Sequence, residues 1–312
     1  MPKAITKPTP EQLDRIAHAP MAMRRESLET LAHRIVMGEL FEEPPELEEE
    51  TVEFAVDADQ AGAPRLPKVQ GAVAVVPVFG GVAQHRGSDY WGGVFTEELV
   101  GLLARLVDSP NVGAVVLSFD SPGGIVFGVP EAAGAIRALS QVKPIYGHVK
   151  AQAASAAYWL ATATTKLFVQ PSSEVGSIGV WTMHIDASEA LKQIGWDITM
   201  ISAGKYKTEG HPFGPLDDDA RDHLQEGVDR YYDDFLDGVA TGRGVTKATV
   251  RNDFGEGRML DAAEAKRVGM VDGICTLGEL LAGVMPPVGS KRRTTAATRI
   301  ALAEACGPEL EG

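Results

Sequence analysis

A chain of 312 residues with 44% apolar content is long enough to bury a full core and suits one or about two domains. Its formal net charge of −14 argues against nucleic acid or an anionic membrane surface as the main partner. No run approaches the roughly 18 consecutive apolar residues of a membrane span, and Cys275 and Cys306 fit no metal or redox spacing. The first ten residues lack an apolar leader segment, so the expectation is a chain of a reducing, cytoplasmic compartment, neither secreted nor membrane-spanning.

Residues 1–37 read as a polar helical arm, with Leu13, Ile16, Leu28, Leu31 and Ile35 loosely at helical spacing among charges. Glu42, Glu43, Pro44 and Pro45 break that pattern, and 38–68 is predicted as an acidic, Pro-rich linker. A catalytic-sized domain is expected over 69–283, and a flexible tail over 284–312. The domain opens on a buried-strand candidate, Ala72 to Phe79, ended by Gly80 and Gly81. Thr96 is placed to cap a helix through Val107 that carries Leu99, Leu102, Leu103 and Leu106 on one face. A second strand runs from Asn111 to Phe119, followed by a Pro-Gly-Gly loop and a helix near 129–140. Pro144 to Val149 is a third strand, and Lys166–Val169 and Asp197–Ile201 are shorter ones. A long helical stripe follows, from Leu216 through Ala220, Leu224, Val228, Tyr232 and Phe235 to Val239, with Asp217, Asp218 and Asp219 at its start. Thr246–Asn252 and Asp261–Val268 are shorter helices. Strand and helix in alternation predict an α/β fold with right-handed crossovers.

Ser155 stands among alanines at the point where the third strand runs into a helix. Acyl transfer needs a nucleophile, a base and N–H donors for the oxyanion, and the first amides of a helix are such donors. The backbone N–H of Ala156 is therefore one candidate donor, and that of Gly124, in the Pro-Gly-Gly turn, is the second. A lysine can serve as base only when neutral, which requires a pKa well below about 10.4. Lys207 and Lys205 both lie in the Gly204-Lys-Tyr-Lys207 turn and both qualify on residue chemistry. Each feature alone also has an ordinary reading: a tight turn, a small buried helix residue, a surface charge.

Four segments in one order connect these residues: Asp120-Ser-Pro-Gly-Gly124, Ala153-Ala-Ser-Ala-Ala-Tyr158, Gly176-Ser-Ile-Gly179 and Gly204-Lys-Tyr-Lys207. Together they resemble the signal peptide peptidase A (protease IV) family of Ser–Lys peptidases, over about residues 70–275. The resemblance implies a Clp protease/crotonase-like core of repeated β-β-α units with a helical C-terminal part. It implies Ser155 as nucleophile and Lys207, not Lys205, as base, with no metal and no organic cofactor. The Ala156-Ala157 pair, the Glu209–Pro215 segment and the polar arm are closer to the phage capsid assembly (head maturation) protease subgroup. That subgroup implies capsid or scaffold proteins as substrates and a ring-like homo-oligomer, with the dyad formed within or between subunits. A cellular housekeeping peptidase, a crotonase-like acyl-CoA enzyme and a non-catalytic head scaffold subunit are the alternatives. Within peptidases, a Ser–His–Asp triad using His184 is the rival mechanism.

Overall fold

Long β-branched runs followed by amphipathic segments become a parallel-rich sheet with helices on it. The computed structural model describes residues 21–23, 64–86 and 93–285. In chain order the strands are β1 (Met21–Met23), β2 (Ala72–Phe79), β3 (Gly81–Ala83), β4 (Gly93–Phe95), β5 (Val112–Ser121), β6 (Gly123–Ile125), β7 (Ile145–Ala154), β8 (Lys166–Val169), β9 (Glu174–Gly176), β10 (Met259–Asp261) and β11 (Gly273–Ile274). The helices are α1 (Thr96–Asp108), α2 (Val129–Val142), α3 (Ala156–Thr162), α4 (Ser188–Gln193), α5 (Asp218–Arg243), α6 (Lys247–Asp253), α7 (Ala262–Val268) and α8 (Leu277–Val284).

The larger sheet runs β10-β9-β7-β5-β2, with β8 also on β7 and β11 on β8. All its pairings are parallel except β9 with β10. A small second sheet has the order β1-β6-β3-β4. Alternation along β2 and β5 buries both faces of the larger sheet, as parallel sheets require. Val76, Val78, Leu117 and Phe119 face the core formed with α1, α2, α3 and α5, whereas Val73, Val75, Ala114 and Val116 face α8. β7 is shared: Tyr146–Val149 pairs with β8, and Gln152–Ala154 pairs with β9. That division carries the end of β7 out of the sheet core and delivers Ser155 to its rim.

Several elements differ from the expectation. Thr96 is not a cap: Phe95 is the N-cap residue, and the Glu97 amide is satisfied instead by the Gln84 carbonyl at 3.2 Å. Residues 197–201 form no strand, because their apolar side chains find no partner edge and Ile198, Met200 and Ile201 face outward. The end of the predicted linker packs on the domain: Leu66 joins the α8 core, and the Lys68 Nζ donates to the Ala282 carbonyl at 2.6 Å. Residues 21–23, inside the predicted helical arm, are extended. The rest of the arm, most of the linker and the tail after Met285 lie outside the described residues.

Candidate active site

Ser155 occupies the single residue between β7 and α3, with φ 54° and ψ −122°. An L-residue in that region carries about 1–3 kcal/mol of strain, held by its surroundings. Here the Ser155 amide donates to the Gly176 carbonyl at 2.7 Å, and the Ser155 carbonyl accepts from the Trp159 amide at 3.0 Å. α3 is buried along its whole length. The Tyr158 hydroxyl donates to the Met270 carbonyl at 2.8 Å, and Trp159 stacks on Phe235 of α5 with centroids 4.7 Å apart. The serine side chain is thus presented by an anchored turn. It is fully buried, and its Oγ has no hydrogen-bond partner among the described residues.

The oxyanion candidates lie on the elements that border this turn. Ser155 makes no side-chain cap on α3, so it leaves the amide of Ala156 uncapped by its hydroxyl. Ser121 pairs with Ala153 at the ends of β5 and β7, which sets the Pro-Gly-Gly turn beside the serine turn. The buried Ser121 Oγ donates to the Gly80 carbonyl and accepts from the Gly123 amide at 3.3 Å. The Gly123 N–H is therefore engaged in holding the turn, and Gly124 is the second glycine of that turn. A Cβ on Gly124 would collide with the Val82 carbonyl oxygen, so only glycine lets β6 lie this close to β3. Ser121 and Gly176 lie within the motifs, but motif order alone gives neither a role. The pairing of Ala154 with Gly176 reveals what the third motif does: it braces the serine turn.

Within the chain Lys207 makes no hydrogen bond to Ser155. It lies in an exposed turn, its amide donating to the Gly204 carbonyl at 3.2 Å, and makes no bond to the serine hydroxyl. Lys205 is held elsewhere, 2.8 Å from the Tyr206 hydroxyl and 3.8 Å from an Asp219 oxygen. The approach to this turn exposes Ile194, Trp196, Met200, Ile201 and Tyr206. His184 is also turned away, its Nε2 3.0 Å from the His211 carbonyl. His148 is a core residue: its Nε2 lies 3.1 Å from the Cys275 carbonyl, and burial lowers its pKa to about 4. No cluster of His, Cys, Asp or Glu able to hold a metal occurs among the described residues. Nor is any described helix long and apolar enough to cross a membrane.

Residues 137–288 match Peptidase family S49, a span that contains Ser155 and Lys207 but not Gly124. Capsid assembly protease C of Escherichia phage lambda is 30% identical over 226 residues, which cover 71% of this chain and 51% of that protein. Protease 4 of Haemophilus influenzae is 28% identical over 212 residues, covering 68% of this chain and 34% of that protein. The chain thus spans about half the length of the first relative and a third of the second. Among solved structures, a ClpP1 mutant from Listeria monocytogenes aligns with a TM-score of 0.41 and 17% identity, over 66% of this chain and 94% of that one. The α/β class rests on the sheet itself, and the family on the sequence matches. Over residues 137–288 the chain carries a peptidase family S49 domain, and it is similar to both capsid assembly protease C and protease 4.

Proposed function

We propose that the chain is a serine endopeptidase that works through an acyl-enzyme on Ser155, with Lys207 as base. The observation that carries this is the Ser155 turn: a strained, anchored residue at a strand-to-helix junction, with an Oγ that no neighbour engages. A nucleophile awaiting its base accounts for such a strained and unengaged hydroxyl. The Ser155 Oγ attacks the peptide carbonyl, and the developing oxyanion is received by the amides of Ala156 and Gly124. The Lys207 amine takes the serine proton, passes it to the leaving amine, and then activates the water that hydrolyses the ester.

Because Lys207 makes no hydrogen bond to Ser155 in one chain, the base comes from a neighbouring copy. The exposed apolar residues between Ile194 and Tyr206 support this reading, since they flank the lysine and would be covered by such a contact. A ring-like homo-oligomer then becomes a condition of activity. Extended protein segments are the substrate class, bound by backbone pairing at a strand edge. The similarity to the lambda capsid assembly protease favours capsid or scaffold proteins as the natural targets. The test is cleavage of a panel of unstructured protein segments by the wild type and by Ser155→Ala. Equal rates, or no rate in either, would sink the peptidase reading.

A further inference from the structure

The strand that carries Gly123 and Gly124 already has a peptide on its outer edge. β6 is paired on one side with β3, through Val82 opposite Gly124. On the other side it is paired antiparallel with β1, in the register Met21–Ile125, Ala22–Gly124 and Met23–Gly123. Among the described residues β1 is the terminal strand of its sheet, paired with β6 alone. An extended peptide reading the site by strand addition would use this same edge, because the other is taken. We propose that residues 21–23 occupy the substrate position of the site, and that the chain's own N-terminal arm is cut there after Ala22. This rests on the peptidase reading above and names the first substrate of that site.

Three features of the sequence and fold support an exchangeable substrate rather than a structural strand. A three-residue strand with one partner has few ladder bonds and contributes little to the sheet. Between Arg15 and Arg24 the arm has no Asp, Glu, Lys or Arg, so the paired segment is the uncharged stretch of an otherwise charged region. The residue opposite Gly124, the glycine whose amide remains for an oxyanion, is the small Ala22. As a hydrogen-bonded pair of the antiparallel ladder, Ala22 and Gly124 would set the Ala22 carbonyl at the Gly124 amide.

The chemistry is the hydrolysis already described, applied in cis. The Ser155 Oγ bonds to the Ala22 carbonyl carbon, and its proton passes through Lys207 to the Met23 nitrogen as the Ala22–Met23 bond breaks. One water then cleaves the ester, leaving a carboxylate on Ala22 and restoring the serine. Until that cut, the arm excludes other peptides from β6.

Intact-mass and N-terminal analysis of the purified 312-residue chain, followed over time, tests this. The expected product lacks residues 1–22 and begins at Met23, and Ser155→Ala stays full length. Ala22→Glu slows the cut by about tenfold or more, since a charged side chain replaces a methyl at the residue cleaved. The same variant keeps the thermal unfolding midpoint of the wild type, which controls for folding. A wild-type chain that cleaves the added protein but keeps its own arm, or cuts it elsewhere, overturns the arm proposal and leaves the peptidase standing. An unchanged rate in Ala22→Glu does the same. A wild type that neither cuts any peptide nor takes an acyl label on Ser155 overturns both.

Discussion

The amide of Ser155 is held 2.7 Å from the carbonyl of Gly176, and this bond joins two motifs that lie 21 positions apart in the chain. Gly176 itself needs its φ of 135°, and a Cβ there would run into the Arg258 carbonyl. The Ser155 turn is therefore braced by a position where only glycine fits.

The strain at Ser155 leads to a separable effect. Ser155→Gly removes the cost of a positive φ and should stabilise the fold by about 1 kcal/mol. It should also abolish acylation. Thermal unfolding together with labelling by a serine-reactive acyl inhibitor reads both; a loss of stability would show that the turn is not strained.

Lys207→Ala and Ser155→Ala are each expected to eliminate peptide cleavage, while His184→Ala, whose ring is engaged with the His211 carbonyl, retains most of it. If the dyad forms between copies, mixing the two inactive variants restores part of the rate. Retained cleavage in Lys207→Ala with loss in His184→Ala would replace the dyad with a triad.

Gly124→Ala should reduce turnover by about a hundredfold or more, the scale of losing one oxyanion donor. The added methyl meets the Val82 carbonyl and displaces β6 from β3. Gly134→Ala, on α2 with open space around it, is the matched control and should leave turnover unchanged.

His148 makes stability depend on acidity. Burial lowers its pKa from 6.5 to about 4, with the Cys275 carbonyl opposing that shift and the Lys150 charge adding to it. The unfolded chain therefore takes up the proton first. The stabilisation is complete above pH 6.5 and is lost as pH falls towards 4, an effect of roughly 3 kcal/mol. Denaturant titrations across that window should have a slope that His148→Leu flattens. An unaltered slope would mean that other groups set it.

Much of the domain was legible because its signals are local. Runs such as Ala72–Phe79 and Lys166–Val169 are apolar enough to be buried strands wherever they lie, and Asp217, Thr246 and Asp261 cap their helices by side-chain bonds only three residues long. Local pattern failed where a partner decided the outcome. Ile198, Met200 and Ile201 alternate like a strand but have no edge to join, and the Met21–Met23 segment lies in a helical pattern yet pairs with β6 about a hundred residues away.

The site divides the same way. From the sequence came the serine, the Pro-Gly-Gly turn and the lysine turn, since motif order survives without coordinates. The tertiary structure alone decided that Ser121 and Ala153 bring two of these together, that Gly176 braces Ser155, and that Lys207 is left at the surface. The physical reason is that hydrogen-bond register across a sheet is a relation between distant residues. A serine among alanines carries no trace of which carbonyl will hold its amide, or of which strand will lie across its cleft.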